Sequence, residues 1–449
     1  MHLPKEDLCL VEKLAPYSNN ARTHSKSQIR QIAESIRRFG FTNPVLITDD
    51  NAIIAGHGRV EAAKLIGMAE VLVRRLSHLS QNEVRAYILA DNKLALNAGW
   101  DTEILAIELQ ALIDIDFDVT LTGFSLAEVD LTLDQARDAS PSTPDGADLV
   151  PPLSERAVSR SDDLWLLGPH RLLCGNAMSS PDIDRLIGDR TIDLIFTDPP
   201  YNVPIDGHVG GLGAIRHREF AFAAGEMTSD EFTAFLAETL GNASRVARDG
   251  AIAFVCMDWR HMRELLDAGK EAFSELKNLC VWNKTNGGMG SFYRSKHEPV
   301  FVFKVGTQPH TNSFGLGDTG RYRTNVWDYP GISSLGANRG DELSMHPTVK
   351  PVALVADAIR DCSRRGETVL DIFAGSGSTV IAAEACGRVA CALEYDPLYC
   401  DTIIARWQRF TGKRAVLAET GQDFEAAAEA RAEPANEGPG GDGDRGGHS

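Results

Sequence analysis

The sequence predicts an α/β protein: a mostly parallel sheet with ligand sites beyond the carboxyl ends of its strands, preceded by a smaller α+β domain. Three observations carry the prediction. The chain has 449 residues, more than one hydrophobic core usually supports. Composition breaks at "DASPSTPDGADLVPPLSER", where Pro, Ser, Asp and Gly replace apolar periodicity. Beyond that break, short apolar runs alternate with helical patterns, the signature of strand–helix–strand units.

Element by element, "SKSQIRQIAESIRRFG" sets Ile29, Ile32, Ala33, Ile36 and Phe39 on one helical face, with Gly40 as the stop. "PVLITDDNAIIAGHGR" reads as two strands around an Asp-Asp-Asn turn, followed by the helix "VEAAKLIG". Residues 80 to 136 read as mostly helical. After the linker, "TIDLIF", "GAIAFVCM", "NLCVWNK", "EPVFVFK", "ETVLDIF" and "RVACALEY" are strand candidates, with "SDEFTAFLAETLGNASRVA" and "VALVADAIRDCS" as helices. The expected organisation is a first domain over 1–137, a linker over 138–157, a second domain over 158–418, and a disordered acidic, Gly-rich tail over 419–449.

Composition narrows the function classes. The eight cysteines form no CxxC pair and no metal-ligand spacing with His, so buried thiols in a reducing cytoplasm are expected, with no metal site. No segment has signal-peptide character or membrane-spanning length, which excludes a membrane partner. The net charge of −18 argues against wholesale coating of nucleic acid. Its distribution is uneven, however. Residues 284 to 325 carry Lys284, Arg294, Lys296, Lys304, Arg321 and Arg323 against Glu298 and Asp318, a candidate phosphate-contacting surface.

Two segments carry chemistry. "ETVLDIFAGSGSTVIAAEACG" is a strand, a glycine loop and a helix, and lacks the Gly-Lys-Ser/Thr ending of a phosphate-binding Walker loop. Gly375 and Gly377 allow a tight turn and close approach of a ligand, although a plain strand-to-helix turn has the same pattern. Glu394 ends the next strand, about twenty residues on, where an acid accepts hydrogen bonds from ribose hydroxyls. "TDPPY" follows the strand candidate "IDLIF". Alone it reads equally as a Pro-Pro strand terminator. As a site, Asp198 and the Pro199 carbonyl would accept the two N–H groups of a nucleobase amine and localise its lone pair for attack on an electrophilic methyl group. Proline fixes the carbonyl's direction, and Tyr201 offers a stacking face beside Pro200.

At these residues the carboxyl-terminal part resembles the DNA amino-methyltransferases that use S-adenosylmethionine, in the subgroup whose "DPPY" motif precedes the cofactor loop. "TDPPYN", "NKTNGGMGSFYRSKHEPVFVFK", "HPTVKPVAL", "DIFAGSGST" and "ALEYDP" occur in that subgroup's order. The resemblance implies a Rossmann-like methyltransferase sheet, with Asp198, Pro199, Pro200 and Tyr201 catalytic. It implies that Asp371, Phe373, Gly375 and Gly377 line the cofactor, that Glu394 binds its ribose, and that Thr348 and Lys350 lie near its methionine carboxylate. "LLCGNAM" would hold the adenine through Asn176 and Ala177, with Asn176 standing where such proteins often have Asp. DNA contacts would come from Lys284, Arg294, His297, Arg321 and Arg323, which either read bases or hold phosphates. Double-stranded DNA is the implied partner, its base flipped from the stack.

"NNARTHSKSQIRQIAESIRRFGFTNPVLI" with "IIAGHGRVEAAKLIG" resembles the amino-terminal domain of ParB-like partition proteins and the related sulfiredoxin-type fold. That resemblance implies a nucleotide held by Arg22, Gly56, His57 and Arg59, helped by a helix amino terminus. Gly58 departs from the arginine common in partition proteins, and no partition-type helix-turn-helix is apparent afterwards. The reading is therefore a site-specific, adenine-N6-directed enzyme of the restriction-modification type, with a homodimer left open. Cytosine N4, RNA or protein amides are alternative substrates. A ParB-like regulator with a vestigial catalytic domain is the alternative from another class.

Overall fold

The structure is a computed structural model, described here for residues 6–18, 22–115, 117–139, 146–202, 225–284, 293–314, 323–331 and 349–432. The chain divides into two compact units, Met1–Ser142 and Thr143–Ser449. No described helix is long and apolar enough to cross a membrane.

The first unit contains β1 (Glu6–Leu10), α1 (Lys26–Phe39), β2 (Val45–Ile47), β3 (Ile53–Ala55), α2 (His57–Leu65), β4 (Glu70–Arg75), α3 (Gln81–Leu96), α4 (Thr102–Asp114) and α5 (Leu126–Ala139). Its strands form one sheet in the order β1-β4-β2-β3, with β2 parallel to β4 and the other pairs antiparallel. Ser25 caps α1 by accepting a hydrogen bond from the Gln28 amide, and Gly40 closes the helix at φ 83°. The apolar face read for α1 is only partly covered: Ala33 is buried, whereas Phe39 is exposed and stacks on Phe117 at 6.3 Å. Ser80 and Glu83 form a capping box at the start of α3. The helices α4 and α5 pack on each other through Ala106, Leu109, Val129 and Leu133.

The second unit contains β5 (Leu164–Leu167), β6 (His170–Cys174), α6 (Ser180–Ile187), β7 (Ile192–Thr197), α7 (Ser229–Val246), β8 (Ala247–Cys256), α8 (Met262–Ala272), β9 (Glu275–Asn283) and β10 (His297–Lys304). It continues with β11 (Val326–Asp328), α9 (Val352–Cys362), β12 (Thr368–Asp371), α10 (Ser378–Cys386), β13 (Val389–Glu394), α11 (Pro397–Thr411), β14 (Val416–Leu417) and α12 (Phe424–Arg431). One ten-stranded sheet runs β11-β9-β10-β8-β7-β12-β13-β6-β5-β14. Its centre, β8-β7-β12-β13-β6, is parallel, and antiparallel pairs flank it. Leu194, Phe196, Ile252 and Phe254 face a core shared with α9, α10 and α11. Ile195, Ala253 and Val255 face the opposite core with α6, α7 and α8. Burial on both faces explains why "AIAFVC" is apolar without alternation. All eight cysteines are buried free thiols.

Two expectations fail here. The linker expected over 138–157 ends earlier, because residues 147–150 are built into this unit. Ala147 and Val150 are buried, Asp148 accepts from the Val352 amide at 2.9 Å, and the buried Arg406 guanidinium donates to the Ala147 carbonyl at 2.8 Å. A desolvated guanidinium demands such acceptors, and composition does not reveal which segment supplies them. The tail was drawn from 419, yet 424–431 is helical. Asp423 caps α12, Phe424 lies 5.5 Å from the Trp165 ring, and Arg431 pairs with Asp163 at 2.9 Å. Residues 433–449 of the expected tail lie outside the described residues.

Candidate active site

The parallel strands β6, β13, β12 and β7 end side by side, and the chemistry-bearing residues stand at those ends. Parallel pairing aligns Cys174 with Glu394 and places β12 beside both β13 and β7. The crevice beyond such strand ends is where open α/β sheets bind ligands.

Around the glycine loop, Asp371 and Glu394 are the anchors. Asp371 accepts from Thr197 Oγ1 at 3.0 Å, the Phe373 amide at 3.1 Å and Thr379 Oγ1 at 2.6 Å. Burial nevertheless pushes its carboxyl up to about 6, against those bonds. Glu394 accepts from the Gly375 amide at 2.8 Å and the Asp396 amide at 2.9 Å. Burial, with Asp396 and Asp371 nearby, raises it to about 7. Gly375 has φ 52° and a Cβ there would meet nothing within 4 Å, so open space lies against the loop backbone. Gly377 has φ 84° and a Cβ there would strike Ile403 at 2.9 Å, which is why α10 can begin only with glycine at its cap. An open cradle flanked by two carboxylates, one at the end of the next strand, fits a nucleoside-bearing cofactor. Phe373 is half-buried and packs toward Phe235.

The "GNAM" segment joins this crevice. The Gly175 amide donates to the Glu394 carbonyl at 3.0 Å, the Asn176 amide donates to Asp182, and the Asn176 side-chain oxygen accepts from the Met178 amide. Ala177 is buried, its carbonyl held by Asn242 at 3.1 Å.

Asp198 follows β7 directly, and Pro199 behind it is buried. Tyr201 donates its hydroxyl to Asp198 Oδ1 at 2.6 Å and lies 2.9 Å from Glu298 Oε1. Lys350, expected near the cofactor's methionine carboxylate, directs its ammonium to Asp198 Oδ2 and to Glu298 Oε1 at 2.7 Å. A neutralising pair of carboxylates holds this buried cation, and its backbone carbonyl reaches Ser378 Oγ at 2.8 Å. Lys284 completes the chain, donating to Glu298 Oε2 at 2.9 Å and lying 4.3 Å over Trp282. Burial opposes ionisation of Glu298, but Lys350 and Lys284 hold its carboxyl down at about 2. Burial raises Asp198, a trend Lys350 opposes and Glu298 reinforces. Asp198, Cys256 and Glu298 present ligand atoms within 4.8 Å of one another, and the Lys350 ammonium already bonds both carboxylates of that cluster. Glu298 is the site residue that sequence reasoning matched to a pattern but gave no role. Its signal was an acid opening an otherwise apolar strand.

The expected DNA-contacting residues do not share one fate. Arg294 and His297 are exposed. Arg323 is not available for DNA: its guanidinium donates to Asp361 at 2.8 Å and Tyr329 at 3.1 Å and lies 5.2 Å over Trp327. Asp361, with Asp357 at 3.5 Å, draws the guanidinium inward from a solvent-facing role. Thr348 and Arg321 lie outside the described residues.

In the first unit, Gly56 caps α2 at φ 102°, and the Arg59 guanidinium folds over it while donating to the Asn43 carbonyl at 3.0 Å. His57 accepts from the Tyr17 amide at 3.3 Å, and burial, then His24, lower its basicity. Arg22 donates to the Asn92 carbonyl at 3.3 Å. Gly58 now has a reason: a Cβ would sit 3.1 Å from Ile32 and 3.2 Å from His24, leaving no room for an arginine. A cavity of about 390 Å³ opens beside Arg59, lined also by Gln28, Gln31, Asn43 and Thr122.

Comparison with known proteins finds matches in both units. A DNA methylase family model matches residues 192–405, a ParB N-terminal domain matches 9–93, and a ParB-methyltransferase HTH domain matches 103–161. The last adds a helix-turn-helix of the ParB-methyltransferase type where no partition-type one is apparent in the sequence. The ParB-like nuclease domain-containing protein YnaK of Escherichia coli is 52% identical over 73 residues, 16% of this chain and 84% of the relative. DNA adenine methyltransferase YhdJ of Escherichia coli is 27% identical over 240 residues, 48% of this chain and 76% of the relative. Among solved structures, the M1.HpyAVI–SAM complex aligns at 19% identity and a TM-score of 0.39, covering 52% of this chain and 97% of that one. The chain thus carries an S-adenosylmethionine-dependent N6/N4 DNA methylase domain over residues 192–405 and a ParB N-terminal domain over residues 9–93 in the same polypeptide.

Proposed function

We propose that this methyltransferase modifies adenine N6 in duplex DNA. The observation that carries the reading is Asp198, an acid at the first motif position, followed by a buried proline that fixes the next carbonyl. The adenine specificity in the name of YhdJ supports it. Asp198 and the Pro199 carbonyl each accept one N–H of the amine, which confines the nitrogen lone pair perpendicular to the ring. S-adenosylmethionine, when bound, supplies the electrophilic methyl group. Asp371, Glu394 and the loop around Gly375 hold that cofactor, with Asn176 and Ala177 on its adenine side. Asp198 is also the acceptor for the proton that the nitrogen sheds. Tyr201, tethered through its hydroxyl, presents part of its ring to the flipped base, whose unstacking costs a few kcal/mol.

Cytosine N4 is the second reading, because its amine fits the same pair of acceptors. Exposed Arg294 and His297 are proposed to meet the DNA, with Lys284 beside them engaged by Glu298. For the first unit we propose nucleotide binding by Gly56, His57 and Arg59, of which Arg59 lines the cavity. Asp198→Ala tests the central assignment. Methyl incorporation should fall by at least about a thousandfold while calorimetric cofactor affinity stays within about threefold. Appreciable residual turnover would remove Asp198 from this role.

A further inference from the structure

We propose that Lys350 and Glu298 are positioning residues for the amine acceptor: Glu298 anchors the Lys350 ammonium against Asp198, so that the base meets an ionised, fixed carboxylate. This deepens the reading of Asp198 as that acceptor and rests on it.

The geometry is a closed set of bonds. Lys350 Nζ bridges Asp198 Oδ2 and Glu298 Oε1, the Tyr201 hydroxyl bridges Asp198 Oδ1 and Glu298 Oε1, and Lys284 takes Glu298 Oε2. Both oxygens of Asp198 are therefore oriented before substrate arrives. The groups facing Asp198 are Lys350, Glu298, Tyr201, Cys256 and Asp371. Among these only Lys350 is a cation. Burial would otherwise favour the protonated acid, a weaker acceptor for the amine that can take up no further proton from it. A lysine bound to Asp198 alone would compete with the amine for Oδ2. Shared with Glu298, which Lys284 neutralises in turn, it stabilises the carboxylate without monopolising it. Because Lys350 also fixes Ser378 at the start of α10 through its carbonyl, a backbone contact that side-chain substitution spares, cofactor binding and acceptor positioning are separable.

The two substitutions act in opposite directions. Lys350→Met removes the cation and should move the acidic limb of the kcat–pH profile upward by at least about one unit, with activity recovering as pH rises. Glu298→Gln removes a neighbouring negative charge, so the limb should move downward while kcat falls about tenfold, because Lys350 then holds Asp198 alone. Lys350→Arg should keep the wild-type limb. Cofactor affinity, measured by calorimetry, should stay within about threefold in all three. The inference is overturned if the limbs of the Met and Gln variants coincide with wild type or move the same way. It is equally overturned if Lys350→Met weakens cofactor binding while kcat at saturating cofactor is unchanged, the outcome of a methionine-carboxylate contact. Should Lys350→Met fail to fold, the downward limb of Glu298→Gln and the retained limb of Lys350→Arg decide. Asp198→Ala serves as the reference. If it stays active, the acceptor reading itself fails; if it is inactive and the limbs do not move, only the positioning role fails.

Discussion

Glu394 is a carboxylate whose ligand role depends on its charge. Two backbone amides fix its direction, yet burial beside Asp396 and Asp371 puts its titration at about 7. Above that pH it is ionised and, in the proposed role, would accept ribose hydroxyls as a charged partner. Below it, the proton takes one acceptor site. Cofactor affinity should therefore fall about fivefold as pH drops from about 8 to about 6, the difference between charged and neutral hydrogen bonds. Calorimetry across that range checks this, and Glu394→Gln should show a flat, weaker profile. The place of Glu394 was legible because an acid closes the apolar strand that follows the glycine loop, where it meets the Gly375 amide. The contact Lys350 makes with Asp198 was not legible. Its ammonium meets an acid 152 residues away, a contact decided by how β7 and the segment before α9 are brought together.

At the scale of elements, the central strands were legible because burial on both faces makes them continuous apolar runs. The hairpin of β5 and β6 was not read, since four- and five-residue strands around Gly168 leave too short a pattern. The segment 146–150 and α12 were read as linker and tail because polar composition hides their anchors, Arg406 and Trp165. The glycine loop permits a sharper test. Gly377→Val forces a side chain into Ile403 at a positive φ, so it should lower thermal stability together with cofactor binding. Gly375→Val points into open space, so its main effect should be loss of cofactor affinity, by at least about tenfold, with a smaller loss of melting temperature. Calorimetry and thermal melts on both variants separate the two.

For the whole molecule, charge decides where DNA can be met. The net charge is −18, and residues 103 to 139, within the matched helix-turn-helix region, hold nine carboxylates against Arg137 alone. Phosphate contact is thus expected in the second unit, where Lys284, Arg294 and Lys296 lie close in sequence. Arg294→Ala should reduce the slope of log affinity against log salt by about 1. Arg323→Ala should leave that slope unchanged and lower stability, because its partners are Asp361, Asp357 and Tyr329. The sequence alone could not distinguish these arginines, which sit in one basic stretch and differ only in what folds against them. The most direct test of the central claim is mass spectrometry of nucleosides from DNA incubated with the protein and methyl-labelled S-adenosylmethionine. Label in N6-methyladenine, absent with the Asp198→Ala protein, is the predicted result; label confined to N4-methylcytosine, or no label in DNA, would contradict it.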